Sequence, residues 1–302
     1  PGDFDNDGNI DYVVGNLGLN SFYRATKEHP LTVYAKDFFN RGSVQCIMTQ
    51  YFKDTVGGAW KQFTSNNRDD IIEQFPFLKK RFLTYKDFAR APFSNVFTAE
   101  ELEGALRLQA NFLSHSFIRN LGGGKFELQP LPGMAQFSAL NGMIADDFNN
   151  DGNLDLCINT NDFSTEPSSG RFDALNGLVM TGDGKGNFTA VSIEHSGFFV
   201  PGNGKGLVGL RSANNKFLLV ASQYNGPLKI FARDGTAFFP KLNRDDRSAL
   251  LHLANGGIQK RELSNGSSFL SQSSKNLGVN KAVLSLDIFD AKGDKRTIDV
   301  PH

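Results

Sequence analysis

Apolar and polar positions change rhythm along the chain. Ile10, Tyr12 and Val14 alternate with a period of two, as in a half-buried strand. Runs of the same kind predict strands over 11–16, 31–35 and 44–52. Between 59 and 116 the rhythm breaks. Residues 67–75 read as a helix that Pro76 ends, because proline cannot donate the next backbone hydrogen bond. Thr98-Ala99-Glu100-Glu101 has capping-box spacing, and Leu102, Leu106, Gln109 and Leu113 behind it give an apolar helical face with one polar exception. The pattern predicts a helical insertion at 59–116. Alternation then resumes. Residues 117–127 and 178–188 each read as strand, Gly-rich turn and strand, and 202–206 as a further Gly-rich turn. A strand over 216–223, a turn at 225–227 and a strand at 228–231 follow.

Three of the early strands come directly after one kind of loop. Asp3-Phe4-Asp5-Asn6-Asp7-Gly8-Asn9-Ile10-Asp11 places side-chain oxygens at loop positions 1, 3, 5 and 9, with Gly8 at the turn. Asp147-Phe148-Asn149-Asn150-Asp151-Gly152-Asn153-Leu154-Asp155 has the same register. Asp37 to Gln45 keeps Asp37 and Gly42 but has Phe39 and Arg41 at positions 3 and 5. Hard oxygen ligands at this spacing suit Ca²⁺ before Mg²⁺. Clustered carboxylates repel one another, so a cation is expected to order the loop. Position 12 of the first loop is Val14, on a strand, so this is not an EF-hand.

Composition narrows the partners. Lys+Arg 32 against Asp+Glu 32 gives no net charge, which disfavours nucleic acid as a partner. The 28 Phe and 31 Gly fit many short strands and tight turns. Cys46 and Cys157 lie in apolar strand runs and are expected to be buried free thiols. No apolar run reaches the roughly 20 residues of a membrane span. The Lys79-Lys80-Arg81 run is expected to be a solvated face, and Phe75, Phe77, Phe82, Tyr85 and Phe88 to be packing residues. The Gly-rich turns at Lys125 and Lys185 lack the Ser or Thr and the following helix of a phosphate-binding loop. The chain opens in a loop without the strand expected before it, so we read it as a fragment or processed form.

The acidic loops and the Gly-Gly-Gly-Lys-Phe and Gly-Lys-Gly-Asn-Phe hairpins resemble FG-GAP/VCBS repeats. The resemblance implies a calcium-holding β-propeller. The Gly15 to Asn20 turn, the Phe75-Pro76-Phe77 segment and the tail (255–262, 266–273 and the strand pair around Asp290 to Gly293) are similar to bacterial VCBS-repeat proteins. In these a propeller precedes an ASPIC/UnbV module, as in the cartilage acidic protein family. The expected fold is therefore all-β: an N-terminally incomplete propeller over 1–235 with the helical insertion, and a small β module over 236–302.

The resemblance implies Ca²⁺ on Asp3, Asp5, Asp7, Asp11 and the Asn9 carbonyl, and on Asp147, Asn149, Asp151, Asp155 and the Asn153 carbonyl. The second loop has an amide in place of one carboxylate and is expected to bind more weakly. The Asp37 loop is expected to bind none. The function expected is a secreted or cell-surface binding or adhesion module for a protein or glycan partner. The alternative is a polysaccharide lyase or hydrolase on the same scaffold. That alternative finds few candidates, because His29, His115, His195, His252 and His302 lack metal-binding spacing. The adjacent pairs Asp69-Asp70, Glu100-Glu101 and Asp245-Asp246 are expected to diverge or lie on a solvated surface.

Overall fold

After one short strand, β1 (Tyr12–Val14), the chain leaves its first sheet and returns to it only at Ser116. The computed structural model describes residues 1–54, 57–165, 170–233, 237–264 and 268–301. The expected boundary at 235–236, Gly266 and Ser267 of the tail motif, and His302 lie wholly or partly outside the described residues. Two compact units form: Ser21–Leu113, and Pro1–Asn20 together with Ser114–His302.

The smaller unit contains β2 (Leu31–Lys36), β3 (Gln45–Lys53), β4 (Trp60–Thr64), α1 (Arg68–Gln74), α2 (Leu78–Arg81), α3 (Tyr85–Arg90), α4 (Phe93–Val96) and β5 (Leu106–Ala110). Its strands form one antiparallel sheet in the order β4-β3-β2-β5. Helix α1 starts where the Asn67 side chain accepts the Asp70 N–H at 3.0 Å, and it stops before Pro76. Ile47 from the sheet packs with Ile71, Phe75, Leu78, Phe93 and Phe97 from the helical segment. Phe75 is packed edge-on between Phe38 and Phe97, at 5.0 and 4.9 Å.

The helix expected behind Thr98 does not form. Thr98 and Glu101 make the reciprocal cap, with Glu101 N–H to Thr98 Oγ1 at 3.2 Å and Thr98 N–H to Glu101 Oε2 at 2.7 Å. The turn then ends at Gly104 (φ 73), and Leu106–Ala110 pairs with β2. Leu106, Leu108 and Ala110 also fit a period of two, and the open edge of β2 captures them. Cys46 is exposed rather than buried, because it alternates with inward-facing Ile47 on β3. Lys79 and Lys80 are exposed as expected, and Arg81 pairs with Glu101 at 2.9 Å. Phe75, Phe82 and Phe88 are buried, whereas Phe77 and Tyr85 are exposed.

In the larger unit β6 (Ser116–Asn120) and β7 (Phe126–Pro130) complete the first sheet as β1-β6-β7. A second sheet follows: β8 (Leu140–Asp146), β9 (Asp155–Thr160), β10 (Leu178–Gly182) and β11 (Phe188–Val191), each hydrogen-bonded to the next. After the short helix α5 (Ile193–Ser196) comes a third sheet of β12 (Asn203–Arg211), β13 (Phe217–Tyr224) and β14 (Lys229–Ala232). The last sheet contains β15 (Asp246–Leu253), β16 (Ile258–Glu262), β17 (Val283–Asp290) and β18 (Lys295–Asp299), in the order β16-β15-β17-β18. The protein is thus mostly β, in several antiparallel sheets.

Strand β9 is buried along its whole length. Leu156 and Ile158 enter a core with Phe4, Phe117 and Phe188, whose rings meet edge to face at 5.5–6.0 Å. Cys157, on the other face, enters a core with Phe198, Leu207 and Phe217. The second sheet is therefore covered on both faces. A Cβ on Gly142 of β8 would lie 2.3 Å from Leu207 N, so β8 and β12 meet backbone to backbone. Asparagine amides join these sheets. Asn141 Nδ2 donates to the carbonyls of Asn161 and Gly204 at 2.8 and 2.7 Å, and Asn159 Nδ2 to those of Gly206 and Ser222 at 3.1 and 2.8 Å. Residues 203–206 thus open strand β12, where the register shifts between Gly204 and Leu207, rather than forming the expected hairpin turn. Their glycines serve close approach of the two sheets.

His115 is buried at the start of β6. Its Nδ1 accepts the Asn16 N–H at 2.7 Å, and its Nε2 lies 2.9 Å from the Ser138 carbonyl, which makes Nε2 the protonated nitrogen. Burial lowers its pKa from 6.5 to about 4. A neutral His of this kind stabilises the fold fully above pH 6.5. As pH falls from there the unfolded chain takes up the proton first, and stability drops until the folded value near 4 is passed. His115 therefore contributes up to about 3 kcal/mol of pH dependence in that window. Urea unfolding of His115→Gln against the parent should show a flatter stability profile between pH 4 and 6.5.

Candidate metal centre

The three loops share one hydrogen-bonding frame. Asp3 accepts the N–H groups of Asp7 (3.0 Å) and Gly8 (3.2 Å), Asp147 those of Asp151 (3.1 Å) and Gly152 (2.8 Å), and Asp37 those of Arg41 (3.0 Å) and Gly42 (2.6 Å). The residue at position 9 closes each loop by accepting the position-2 N–H: Asp11 from Phe4 at 3.1 Å, Asp155 from Phe148 at 2.8 Å, Gln45 from Phe38 at 3.1 Å. Position 4 is an asparagine at positive φ in all three: Asn6 (57), Asn150 (65) and Asn40 (52). Asparagine tolerates this region better than most residues. The repeat read from the sequence is therefore a repeat of backbone geometry, and it survives without the acidic residues at positions 3 and 5.

The loops differ in what they present. In the first, carboxylate oxygens of Asp3, Asp5 and Asp11 lie within 4.8 Å of one another. Asp3 and Asp11 are buried, while Asp7 is exposed and closes the loop by accepting the Asn9 N–H at 2.7 Å. Burial raises the pKa of Asp3 and Asp5, and pushes Asp11 up to about 6. Arg119 Nε sits 3.0 Å from Asp5 Oδ2 and offsets part of the repulsion. Three converging acids against one guanidinium leave a site short of positive charge, and all the donors are hard oxygens. That fits a divalent cation of the calcium type.

In the second loop Asp155 is buried and likewise pushed up to about 6 by burial. The Asn149 amide donates to Asp151 Oδ2 at 2.8 Å, and Asn280 Nδ2 donates to Asp147 Oδ2 at 2.7 Å. Asp147 and Asp151 thus each accept a side-chain amide, as Asp7 does from Asn9 in the first loop. In the third loop Asp37 is only half-buried, and the N–H of Arg41 and its neighbours holds its carboxyl below the usual value.

Several residues at this centre carry no local sequence signal. Strand β16 lies across both acidic loops. Gln259 Nε2 donates to Asn6 Oδ1 at 2.9 Å and to the Gly152 carbonyl at 3.2 Å, and the Lys260 N–H donates to Asp3 Oδ2 at 2.9 Å. Asn6 Nδ2 reaches Asn153 Oδ1 at 3.1 Å, which ties the two loops directly. The Asn120 and Gly182 N–H groups donate to Asp11 Oδ1 and Asp155 Oδ1 at 2.8 and 3.0 Å. Beside the loops Asp146 is buried between Arg233 at 3.6 Å and Arg261 at 3.7 Å. Burial raises Asp146 and lowers Arg261, and each partner opposes the other's shift.

Asp146, Arg261 and Glu262 also line a cavity of about 560 Å³ whose described lining includes no histidine. His252 lies 3.1 Å from Asp287, on the face of the last sheet. Thr297, His252 and Lys295 hold the Asp287 carboxyl at about 2. Asp246, expected to diverge from Asp245 or be solvated, is buried in β15 and pairs with Arg296 at 2.5 Å.

Comparison with protein-family models and with curated proteins gives no match for this chain.

Gln259→Leu keeps the volume but leaves the Asn6 and Gly152 acceptors without their donor. It should lower unfolding free energy by about 1–3 kcal/mol in urea titrations.

Proposed function

We infer that the chain is a calcium-stabilised binding module, with its sheets arranged in the manner of an FG-GAP/VCBS propeller and its last sheet as an ASPIC/UnbV-like module. The observation that carries this reading is the convergence of Asp3, Asp5 and Asp11 within 4.8 Å on a loop frame that recurs at Asp147. The second sheet, covered on both faces and meeting the third through edge strands β8 and β12, agrees with it. Asp3, Asp5 and Asp11 would hold the ion in the first loop, with Asp7 and the Asn9 carbonyl available to complete its shell. Asp147, Asp151, Asp155, Asn149 and the Asn153 carbonyl are the second set. Bound calcium would keep the buried carboxylates ionised and fix the loops on which β16 rests. Its binding free energy would then be folding free energy. Modest affinity suffices at extracellular calcium levels, which favours a secreted or cell-surface protein.

A polysaccharide lyase or hydrolase would need opposed carboxylates or a nucleophile and base across a cleft. Asp146 is instead held between two arginines, and the His252–Asp287 pair lies on a sheet face. No helix among the described residues is long and apolar enough to cross a membrane. We read the partner as a protein or glycan.

Calcium should raise the melting temperature, by the equivalent of about 2.7 kcal/mol at a hundredfold excess over Kd. Excess chelator should reverse the rise. In calorimetric titrations the first loop should fill at lower calcium, and Asp11→Asn should remove that stronger phase while sparing the weaker one. An unchanged melt on chelation counts against the reading; filling of the Asp147 loop first counts against the ranking.

A further inference from the structure

The smaller unit carries a groove that the acidic loops do not explain. Its volume is about 530 Å³, within the usual range for ligand sites, and it opens between the β3–β4 end of the sheet and the segment around α4. Tyr34, Tyr51 and Trp60 supply the aromatic surface, Gln62 stands among them, and the buried Phe93 and Phe97 form the floor. Trp60 is 48% exposed, although it is among the largest apolar groups in the chain. It is also held in place. His29 stacks on it at 4.3 Å and touches Tyr51 at 5.2 Å, while Tyr34 is braced by Phe93 at 4.9 Å. Exposed rings fixed in this way are a preformed platform rather than surplus core.

Two cations stand over the rings of the groove without lining it. Lys53 Nζ lies 5.7 Å from the Trp60 ring centre, and the Arg107 guanidinium 5.9 Å from that of Tyr34. Lys61 also lines the groove, though Asp54 neutralises it at 2.5 Å. No Asp or Glu is among the described lining residues. Lys53 and Arg107 favour a negative group on the occupant, and the rings and Gln62 favour an apolar face with polar groups at its edge.

A pyranose has these properties. Its axial C–H bonds present weakly positive hydrogens to the negative face of an aromatic ring, while its hydroxyls stay in reach of water and side-chain amides. A carboxylate on such a sugar would meet Lys53 or Arg107. A polyproline segment also uses aromatic grooves, but it carries no negative charge for these cations. We propose that this groove binds an acidic, uronate-bearing glycan. The inference deepens the binding-module reading by giving it a ligand class and a place.

Trp60 is the sole tryptophan of the chain, so its fluorescence reports directly on the groove. Titrating the 302-residue chain with oligogalacturonate should shift or quench that emission saturably. A neutral gluco-oligosaccharide of equal length should bind at least about tenfold more weakly, a difference near 1.4 kcal/mol. Tyr51→Ala and Lys53→Gln should each weaken the acidic sugar by a similar factor, with unchanged melting curves showing that the fold is kept. Trp60→Ala, followed by calorimetry, should abolish binding. No response of Trp60 at millimolar acidic sugar, equal response to the neutral sugar, or a response only to a proline-rich peptide would overturn the proposal. The calcium reading is measured separately, by melting with chelator, so either can fail alone.

Discussion

Carboxylates that must be buried close together set the terms for the larger unit. Asp3, Asp11, Asp147 and Asp155 are all buried, and Asp3 and Asp11 converge with Asp5 within 4.8 Å. Water cannot screen them there, so the chain supplies dipoles. Every one of these side chains accepts two or more backbone N–H groups or an amide. These acceptors sit in a loop shape, with a positive φ at position 4 and glycine at position 6, that the third loop shares. The acidic loops also draw on β16, whose Lys260 N–H and Gln259 amide come from the far end of the sequence. The last sheet is thus held against the acidic loops by polar contacts, in addition to packing over its own core.

The third loop separates frame from function. Asp37 makes the same backbone contacts as Asp3, yet it is only half-buried and its carboxyl is held below the usual value instead of being pushed up. The same hydrogen bonds stabilise an ionised acid in water and only partly compensate a buried one. Burial, rather than the motif, is what pushes these carboxyls up.

Much of the architecture was legible because strands and tight turns are local. The alternation over 31–35 and 44–52 and the glycine turns near 122 and 184 lead to strands and hairpins where they stand. Errors arose where a local pattern was ambiguous. Leu106 and Leu108 fit a helix or a strand, and the free edge of β2 decided between them. Gly202 to Gly206 looked like a turn because glycine is used there for close packing, a property of the partner sheet. At the acidic loops the convergence of Asp3, Asp5 and Asp11 follows the spacing. Gln259, Lys260, Arg261 and Arg119 could not be read from the sequence, since no signal within a strand shows what it will lie against.

The ladder between β1 and β6 pairs Val14 with Ser116, so the chain's exit from the first sheet and its return are hydrogen-bonded neighbours. Everything between Ser21 and Leu113 has its own sheet, its own aromatic core and its own groove. Such a cassette can be exchanged, enlarged or deleted across generations while the host ladder closes over the gap with a short bend. Recognition and mineral-dependent stiffness would then be free to evolve on separate clocks within one polypeptide.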